Sequence, residues 1–432
     1  MTDGGEEAIC VVGLGFVGLE LAVAFDEAGK HVVGYDIDSQ TVAALSSGTD
    51  PLDEVGDRRV SEGGVHFTDD PTSIGDADYV LITVPTPVDD LGRPDLGAVE
   101  EAGRTVGRHL HPGSTVVLES TVYPGVTRTI LVPAIEDTSD LTAHDDFDVA
   151  YSPERLSPGT RGRDLETVTK IVGARSDAVR DDVADMYEDV VDAGVYRAPD
   201  PETAEAAKVI ENVQRDINIA LINELAMACD HMDLETEEVL EAAGTKWNFH
   251  DEYRPGLVGG HCIPVDPLYL THRSEKSGFS PELIHKGREI NEHVPRHVAR
   301  RTVRSLNESG RVLRESELLL LGTSYKANVG DVTSSETPTV VEELQSYDIG
   351  VTVYDPHTDV DTEREMLDVP VADEFDPAGY DGVLVATAHD EFAGIDLASL
   401  AEKLNEDPIL VDIPGMHDDA TAREHGFVYD KL

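Results

Sequence analysis

The sequence predicts an α/β protein in which two doubly wound parallel-sheet domains are joined by a helical central domain. Near the N-terminus, "AICVVGLGFVGLELAVAFDEAGKHVVGYDID" alternates continuous apolar strands with a helix, a pattern typical of a parallel sheet covered on both faces. From Ala204, apolar residues recur at helical spacing for 29 residues without Gly or Pro, which predicts one long spine helix. Strand patterns return near residue 315. We therefore expect domains at 1–200, 201–312 and 313–432.

Length and composition limit the class of protein. A chain of 432 residues with 40% hydrophobic residues is long enough for two or three domains with separate cores. No stretch of about 18 uncharged apolar residues occurs, so we expect no transmembrane helix. The start, "MTDGGEEAICVVG", is acidic and differs from a secretory signal, which predicts a cytoplasmic protein.

The net charge of −54 comes from 87 acidic and 33 basic residues that are spread along the whole chain. Such a polyanion repels nucleic acid and anionic membrane, so neither is expected as a partner. The charge suits a salt-rich cytosol, where screening reduces self-repulsion. We interpret it as a sign of a halophilic habitat rather than of function.

The first domain carries a dinucleotide-binding pattern. Gly13, Gly15 and Gly18 form G-x-G-x-x-G between a strand and a helix, where the missing side chains let backbone N–H groups approach a pyrophosphate. Asp36 follows at the end of the second strand, where an acid accepts hydrogen bonds from a ribose diol and repels a 2′-phosphate. The pattern predicts a Rossmann-like domain that binds NAD rather than NADP.

Further strands are expected at 77–85, 114–120 and 148–153, and polar loops follow each of them. "VPTP" (84–87) supplies Pro85 and Thr86, and "ESTVYPG" (119–125) supplies Ser120 and Thr121. These side chains can reach a cofactor or water at the carboxyl edge of the sheet, or they can be ordinary loop caps. Glu154 in "YSPERLSPG" lies at the same edge, where a lone glutamate is usually only solvated.

A helix of this length exceeds a typical globular helix, so we expect it to join domains or to pair subunits. Lys208 and Asn212 lie four residues apart and therefore share one face of it. A lysine in an otherwise apolar segment of a lysine-poor chain calls for an explanation. A surface ion pair with Glu205 or Glu211 is the simplest one.

The three cysteines have different surroundings. Cys10 in "ICVVG" and Cys229 in "NELAMACDHM" are expected to be buried apolar residues. Cys262 lies in a Gly- and Pro-shaped loop, "RPGLVGGHCIPVDP". An odd cysteine count and the lack of CxxC spacing argue against a disulfide and against zinc, so no metal is expected. With Asp266 four residues on, Cys262 is a candidate nucleophile, and together with an NAD domain it predicts alcohol oxidation beyond the aldehyde.

The third domain repeats the pattern of the first. "ELLLLGTSYK", "IGVTVYDPH" and "YDGVLVATAHD" correspond in order to three segments of the N-terminal domain. The glycine triplet is missing, so we expect no second dinucleotide bound in the same way. A two-electron 3-hydroxyacid dehydrogenase would leave Cys262 and this domain without a role. The intact cofactor set from Gly13 to Asp36 and the Cys262–Asp266 pair argue against a non-catalytic nucleotide-binding scaffold.

Taken together, "VVGLGFVGL", "VPTP", "ESTVYPG", "SPER", "AEAAKVIEN", "GGHCIPVDP" and "GTSYK" resemble the UDP-glucose/GDP-mannose dehydrogenase family over essentially the whole chain. The resemblance implies an NAD domain, a helical dimerising centre and a C-terminal domain that holds the nucleotide. It also implies a homodimer and four-electron, NAD-dependent oxidation of the C6 alcohol of a nucleotide sugar.

The resemblance assigns roles to individual residues. The catalytic set it implies is Cys262 as nucleophile, Lys208 as oxyanion stabiliser, Asn212, Asp266 and Thr121 for water and substrate, and Glu154 as base. The substrate-binding set it implies is Arg254, Gly259, Gly260, His261 and Lys326.

His261 and Val265–Asp266 resemble the UDP-N-acetylhexosamine branch of the family. UDP-N-acetylglucosamine is the expected substrate, with the N-acetylmannosamine, N-acetylgalactosamine and glucose counterparts as alternatives. Thr333 and Pro414 depart from the family pattern, in which an arginine and a lysine are usual, and this affects the C-terminal nucleotide site.

Overall fold

The computed structural model describes residues 7–52, 55–89, 91–155 and 165–432. The chain divides into two compact units, Met1–Glu211 with Leu268–Ser280, and Asn212–Pro267 with Pro281–Leu432. Within the described ranges, no helix has the length and apolar character needed to cross a bilayer.

The first unit is built on an eight-stranded sheet. Its strands are β1 (Ala8–Val12), β2 (His31–Tyr35), β3 (His66–Thr68), β4 (Tyr79–Ile82), β5 (Thr115–Leu118), β6 (Asp148–Tyr151), β7 (Lys170–Ala174) and β8 (Val195–Ala198). Their order is β3-β2-β1-β4-β5-β6-β7-β8, and only β6 and β7 pair antiparallel. Because neighbouring residues point to opposite faces, Cys10 and Val12 pack in one apolar layer and Ile9 and Val11 in the other. The doubly wound fold is confirmed.

The helices of this unit are α1 (Phe16–Glu27), α2 (Ser39–Ser46), α3 (Asp57–Glu62), α4 (Gly97–His109), α5 (Val132–Glu136) and α6 (Asp177–Glu188). A 3₁₀ segment covers Pro71–Asp76, and a π-helical turn, Thr127–Leu131, precedes α5.

Strands β4, β5 and β6 lie where the sequence predicts strands, whereas β7 and β8 were not predicted. Strand β7 begins with Lys170, a residue that masks the apolar pattern of a buried strand. Its ammonium lies 2.5 Å from a Glu119 carboxylate oxygen and over the ring of Tyr187. This buried contact compensates the charge, so the lysine is accommodated inside the sheet.

The spine helix is α7 (Pro201–His231), 31 residues long, so it begins slightly before the predicted start at Ala204. The Asp200 carboxylate accepts the Thr203 N–H at 2.7 Å and caps its N-terminus. The next helices are α8 (Thr236–Gly244), α9 (Asp266–Lys276) and α10 (Glu282–Glu308).

The second unit contains a five-stranded, all-parallel sheet. Its strands are β9 (Glu317–Leu321), β10 (Gly350–Tyr354), β11 (Gly382–Val385), β12 (Ile409–Asp412) and β13 (Val428–Lys431). The order is β10-β9-β11-β12-β13. A 3₁₀ turn covers Leu313–Glu315, and the remaining helices are α11 (Thr337–Gln345), α12 (Val360–Met366), α13 (Asp390–Ala393), α14 (Leu397–Lys403) and α15 (Asp419–Glu424).

The predicted echo between the two sheets extends to their first turns. The turns after β1 and β9 contain glycines at positive φ, Gly13 at 98° and Gly322 at 89°. Asp36 and Asp355 follow the second strands. Asp36 accepts one backbone N–H from the corresponding turn, and Asp355 accepts two. Asp355 is also bonded to the His389 ring at 3.0 Å and is buried. Its carboxylate is therefore committed to internal contacts.

Candidate active site

The glycine turn between β1 and α1 is the first functional feature of the first unit. A Cβ on Gly18 would lie 1.9 Å from the Gly13 carbonyl oxygen, so the turn can close only because residue 18 lacks a side chain. A Cβ on Gly15 would meet no atom within 4 Å. Gly15 is the N-cap of α1, so it presents open space at a helix N-terminus, which fits a pyrophosphate.

Asp36 is half-buried beside this turn. Its two carboxylate oxygens accept the Leu14 N–H at 2.7 Å and the Asp38 N–H at 2.8 Å. Each oxygen can accept a second hydrogen bond, so the carboxylate is held in place and still has capacity for a ribose diol.

The loops after β4 and β5 are tied together. The Thr86 hydroxyl donates to the Thr121 carbonyl at 2.8 Å, and the Ser120 hydroxyl donates to a backbone carbonyl of the VPTP segment at 2.7 Å. Pro85 is exposed at this edge, and Tyr269 donates its hydroxyl to the Thr86 carbonyl at 2.7 Å. The bonds of Thr86 and Ser120 match the loop-cap interpretation, while contact of these residues with a cofactor stays a prediction.

Lys208 is only 6% exposed, which rules out a surface ion pair. Glu205 accepts hydrogen bonds from the Thr127 N–H and hydroxyl, and Glu211 pairs with Arg155 at 2.6 Å. Within the described ranges, no hydrogen bond or ion pair reaches the Lys208 ammonium. Burying a cation without a counter-ion is costly, so the structure favours a functional reason for this lysine.

Glu154 follows β6 at the carboxyl edge of the sheet and is half-buried. Burial raises the pKa of the neighbouring Glu119, and the charge of Glu154 raises that pKa further. The structure thus places the predicted base close to a second, fully buried carboxyl group.

Sequence reasoning missed the role of Glu205. Its buried carboxylate also accepts the Gly125 N–H at 2.5 Å, so it anchors the ESTVYPG loop to the spine helix. Burial raises the pKa of Glu205 to about 7, although the hydrogen bonds from Thr127 and Gly125 oppose the shift. Its spacing of three residues from Lys208 on one helical face could have identified it.

The second unit has a cavity of about 210 Å³ at the carboxyl edge of its sheet. The lining is formed by residues 324–327 after β9, 386–388 after β11, 413–414 after β12, 335–337 at the start of α11, and 255–257 with Gly259. Lys326 brings a cation to this edge, where ligands bind in open parallel sheets. Pro414, one of the two departures from the family pattern, lies in the wall.

The glycines before Cys262 allow close packing. A Cβ on Gly259 would lie 2.7 Å from the Ser334 carbonyl oxygen, and one on Gly260 would lie 2.6 Å from the ring of Tyr325. Gly260 also has a positive φ of 91°. The two glycines therefore bring the segment against the loop after β9, rather than serving only to make it flexible.

Two hydrogen bonds donated by backbone N–H groups hold the same segment. The Val258 N–H donates to the Glu336 carboxylate at 2.8 Å, and the Gly260 N–H donates to the Thr333 carbonyl at 3.0 Å. Burial raises the pKa of Glu336 to about 8, against the opposing effect of the Val258 hydrogen bond. Thr333, the second departure from the family pattern, thus supports the cysteine loop through its backbone.

His261 and Asp331 form the third link, with Nε2 and Oδ2 at 3.0 Å. The hydrogen bond raises the pKa of His261 despite partial burial. Burial raises the pKa of Asp331, but the hydrogen bonds from His261 and Thr333 outweigh burial and lower this pKa to about 2. At pH values above the lowered pKa of Asp331 and below the raised pKa of His261 the pair is ionic, and it holds His261, the residue next to Cys262.

Cys262 is exposed, whereas Cys10 and Cys229 are buried as expected. Burial raises the pKa of the Cys10 thiol to about 12, which makes it unreactive. The Cys262 carbonyl accepts the Asp266 N–H at 2.8 Å in the turn that leads into α9. Asp266 is buried, and its carboxylate accepts the Asn212 side-chain N–H at 2.6 Å. The structure thus joins two of the predicted catalytic residues directly.

Arg254, at the start of the loop, is exposed. Its Nε lies 3.2 Å from Glu237 Oε1, and its guanidinium also donates to the carbonyls of Asp251 and Tyr253. Arg254 therefore has local partners, and its predicted contact with substrate stays a prediction.

One grouping of possible metal ligands, His357, His389 and Glu391, occurs in the described part of the chain. The His389 Nδ1 accepts the Asn328 N–H at 2.8 Å, and its Nε2 faces Asp355 at 3.0 Å. Both ring nitrogens of His389 are thus engaged by the loops after β9 and β10, which makes this histidine an internal anchor.

Comparisons with known protein families assign three consecutive parts of the chain. Residues 7–191 match the NAD binding domain of the UDP-glucose/GDP-mannose dehydrogenase family, 202–293 match its central domain, and 319–419 match its UDP binding domain. The chain belongs to this family. It is accordingly an NAD-dependent UDP-sugar dehydrogenase, and the resemblance noted in the sequence is confirmed.

Among curated relatives, Protein CapL of Staphylococcus aureus is 41% identical over 89% of this chain and 90% of its own length. UDP-N-acetyl-D-glucosamine 6-dehydrogenase of Salmonella typhi is 39% identical over 90% of this chain and 91% of its own length. The solved structure of the UDP-D-ManNAc dehydrogenase from Pyrococcus horikoshii superposes with a TM-score of 0.88 at 29% identity, covering 98% of this chain and 99% of that one.

The family gives the two edge sites their ligands. NAD fits the glycine turn and Asp36, because the turn leaves open space for the pyrophosphate and the acid is already oriented. Most of the lining of the cavity, including Lys326, lies within the range that matches the UDP binding domain, and residues 255–257 with Gly259 lie within the range that matches the central domain.

Proposed function

We propose that this enzyme oxidises the C6 alcohol of a UDP-N-acetylhexosamine, preferentially UDP-N-acetylglucosamine, to the uronic acid. One observation carries the proposal. The segment that forms one wall of the cavity, residues 255–257 with Gly259, ends three residues before Cys262, whose thiol is exposed. A nucleophile this close to the UDP site within one compact unit supports covalent oxidation of the sugar.

The chemistry balances as two successive two-electron oxidations. Bound NAD supplies a hydride acceptor, and two NAD are consumed for each sugar. The alcohol loses a hydride and a proton and becomes an aldehyde, to whose carbon the Cys262 sulfur adds. The hemithioacetal loses a second hydride and becomes a thioester. Water then attacks the thioester, the C–S bond breaks, and the carboxylate and the thiol are released.

The remaining residues have roles that their surroundings support. Lys208, a buried ammonium, would stabilise the oxyanion of the hemithioacetal and of thioester hydrolysis. Asn212 and Asp266, joined by a 2.6 Å hydrogen bond, would orient water and substrate together with Thr121. Glu154 would act as the base for hydrolysis.

The choice of hexosamine rests on two different likenesses. The 39% identical relative named for UDP-N-acetylglucosamine and the "GGHCIPVDP" segment favour that sugar. The structural likeness to the UDP-D-ManNAc dehydrogenase keeps UDP-N-acetylmannosamine as a second candidate. UDP-N-acetylgalactosamine and UDP-glucose complete the set to be compared.

The test is NADH formation across these four UDP-sugars in high-salt buffer. We expect the highest kcat/KM with UDP-N-acetylglucosamine and two NADH per sugar consumed. Cys262→Ser should bind NAD normally and form no uronic acid. A stoichiometry of one NADH with aldehyde as product, or full activity of the serine variant, would refute the covalent mechanism.

We further propose that the chain works as three domains, 1–200, 201–312 and 313–432, in a homodimer. Leu221, Leu225 and Met232 are exposed along one face of the spine-helix region, which suits a contact with a second copy. Light scattering should give twice the chain mass, and Leu221→Glu with Leu225→Glu should give the monomer. The charge of −54 supports a salt-rich cytoplasm, so both measurements belong in molar salt.

A further inference from the structure

The segment that leads to Cys262 is anchored to the spine helix at Gly256. Asn223 on α7 accepts the Gly256 N–H on its Oδ1 at 2.9 Å and donates from its Nδ2 to the Gly256 carbonyl at 3.1 Å. A side-chain amide that pairs with both polar groups of one residue fixes both the position and the orientation of that backbone. Asn223 is only 2% exposed, so water does not compete for these bonds.

A buried network orients the Asn223 amide. Its Nδ2 also donates to Asn291 Oδ1 at 2.9 Å, and Asn291 donates to Asp216 Oδ1 at 2.8 Å. Arg288 donates to the same Asp216 oxygen at 2.7 Å. Every polar atom of the Asn223 side chain is thereby used, which excludes a flipped amide.

Gly256 occupies a decisive place in the loop. It lies in the wall of the nucleotide cavity, and it precedes Cys262 by six residues. Asn212 holds the other end of the loop through Asp266. Asn212 and Asn223 are eleven residues apart, close to three turns, so one face of the helix holds both ends of the loop.

We propose that Asn223 is a positioning residue for the oxidation, which it serves by setting the Gly256 backbone and through it the cavity wall and Cys262. The inference rests on the proposed function for its effect on catalysis. If Asn223 served only to pack α7 against α10, its bond to Asn291 on α10 would matter as much as its bonds to Gly256.

The test compares Asn223→Ala and Asn223→Asp with Asn291→Ala. The aspartate keeps the size and the acceptor for the Gly256 N–H but cannot donate to the Gly256 carbonyl. Asn291→Ala breaks the network and leaves both bonds to Gly256 in place. For each variant, kcat/KM for UDP-N-acetylglucosamine and the affinity for NAD are measured. The rate of Cys262 alkylation by iodoacetamide is measured by mass spectrometry, since the other two cysteines are buried.

We expect both Asn223 variants to lose about 10²-fold in kcat/KM for the UDP-sugar, the loss typical of a displacement of about 1 Å, with NAD affinity unchanged. Cys262 should be alkylated faster than in the wild type. Asn291→Ala removes one partner of Asn223 but keeps both bonds to Gly256, so it should lose clearly less kcat/KM and raise the alkylation rate less than either Asn223 variant.

Wild-type turnover and alkylation in Asn223→Asp would overturn the inference, as would equal losses in Asn291→Ala. Alkylation needs no turnover, so a wild type that oxidises none of the UDP-sugars would refute the proposed function while the alkylation rates still decide the role of Asn223. If Asn223→Ala does not fold, the same measurements on Asn223→Asp decide the role of the residue.

Discussion

Replacing Gly260 by alanine tests whether the loop before Cys262 is held by packing. The added Cβ would lie 2.6 Å from the Tyr325 ring, so the loop or the ring must move by about 1 Å to reach ordinary contact. The positive φ of 91° adds about 1–2 kcal/mol of strain, and the crowded contact adds about 1–3 kcal/mol. We expect a loss of about 2–5 kcal/mol in the free energy of unfolding and, because Cys262 is displaced, of about 10²-fold in kcat.

Two measurements check this prediction, chemical unfolding in high salt and steady-state NADH formation. Gly310→Ala is the matched control, because Gly310 has a positive φ of 76° but no atom within 4 Å of the added Cβ. That variant should lose about 1 kcal/mol and keep its kcat. Adding Tyr325→Ala to Gly260→Ala removes the crowded ring, so the double variant should recover part of the kcat that Gly260→Ala alone loses, with a coupling of about 1 kcal/mol or more.

Packing does not hold the loop if Gly260→Ala matches Gly310→Ala in stability and retains the wild-type kcat. The same conclusion follows if the double variant shows no coupling, since the loss would then not pass through the ring of Tyr325.

Three further predictions concern charges. Lys208→Met should lower kcat by about 10²–10³-fold. It should also raise the melting temperature, because it removes a buried cation that has no counter-ion in the described part of the chain. A melting temperature below that of the wild type would contradict this prediction. Asp331→Asn should bring the raised pKa of His261 back toward 6.5 in an NMR titration, and an unchanged pKa would show that Asp331 is not the cause of the shift. That pair stabilises the wild type fully between about pH 4 and 6.5 and is lost above the folded pKa of His261 or below that of Asp331. The pKa of Glu336 is raised from 4.5 to about 8, so this group destabilises the protein increasingly as the pH rises from 4.5 to 8. Glu336→Gln can still accept the Val258 N–H, and it should melt higher than the wild type at pH 8 and no higher at pH 4. Equal melting temperatures of the two proteins at pH 8 would contradict this prediction.

Local signals made much of the first site predictable. Gly13, Gly15 and Gly18 are spaced by the geometry of one turn, and Asp36 must follow where the next strand ends. The helical spacing of Lys208 and Asn212 placed them on one face of the spine helix. Each of these features depends on neighbours within a few residues or one strand, so the sequence could reveal it.

Other features depend on the fold. The sequence marked Cys262 as unusual and indicated a loop shaped by Gly and Pro, because Gly259, Gly260 and Pro264 are poorly suited to a helix or a strand. In the structure the same glycines allow the backbone to pack against residues after β9 that are far away in the chain.

Periodicity and spacing by themselves predicted the α/β class, the glycine turn of a dinucleotide-binding domain, the spine helix and Cys262 as the candidate nucleophile. Tertiary structure alone decided how the cysteine loop is held, through Asn223 on one side and Asp331 and Glu336 on the other. The physical reason is that a buried hydrogen bond between residues dozens of positions apart leaves no periodic trace in the sequence. A buried asparagine, moreover, resembles an exposed one until its partners are placed beside it.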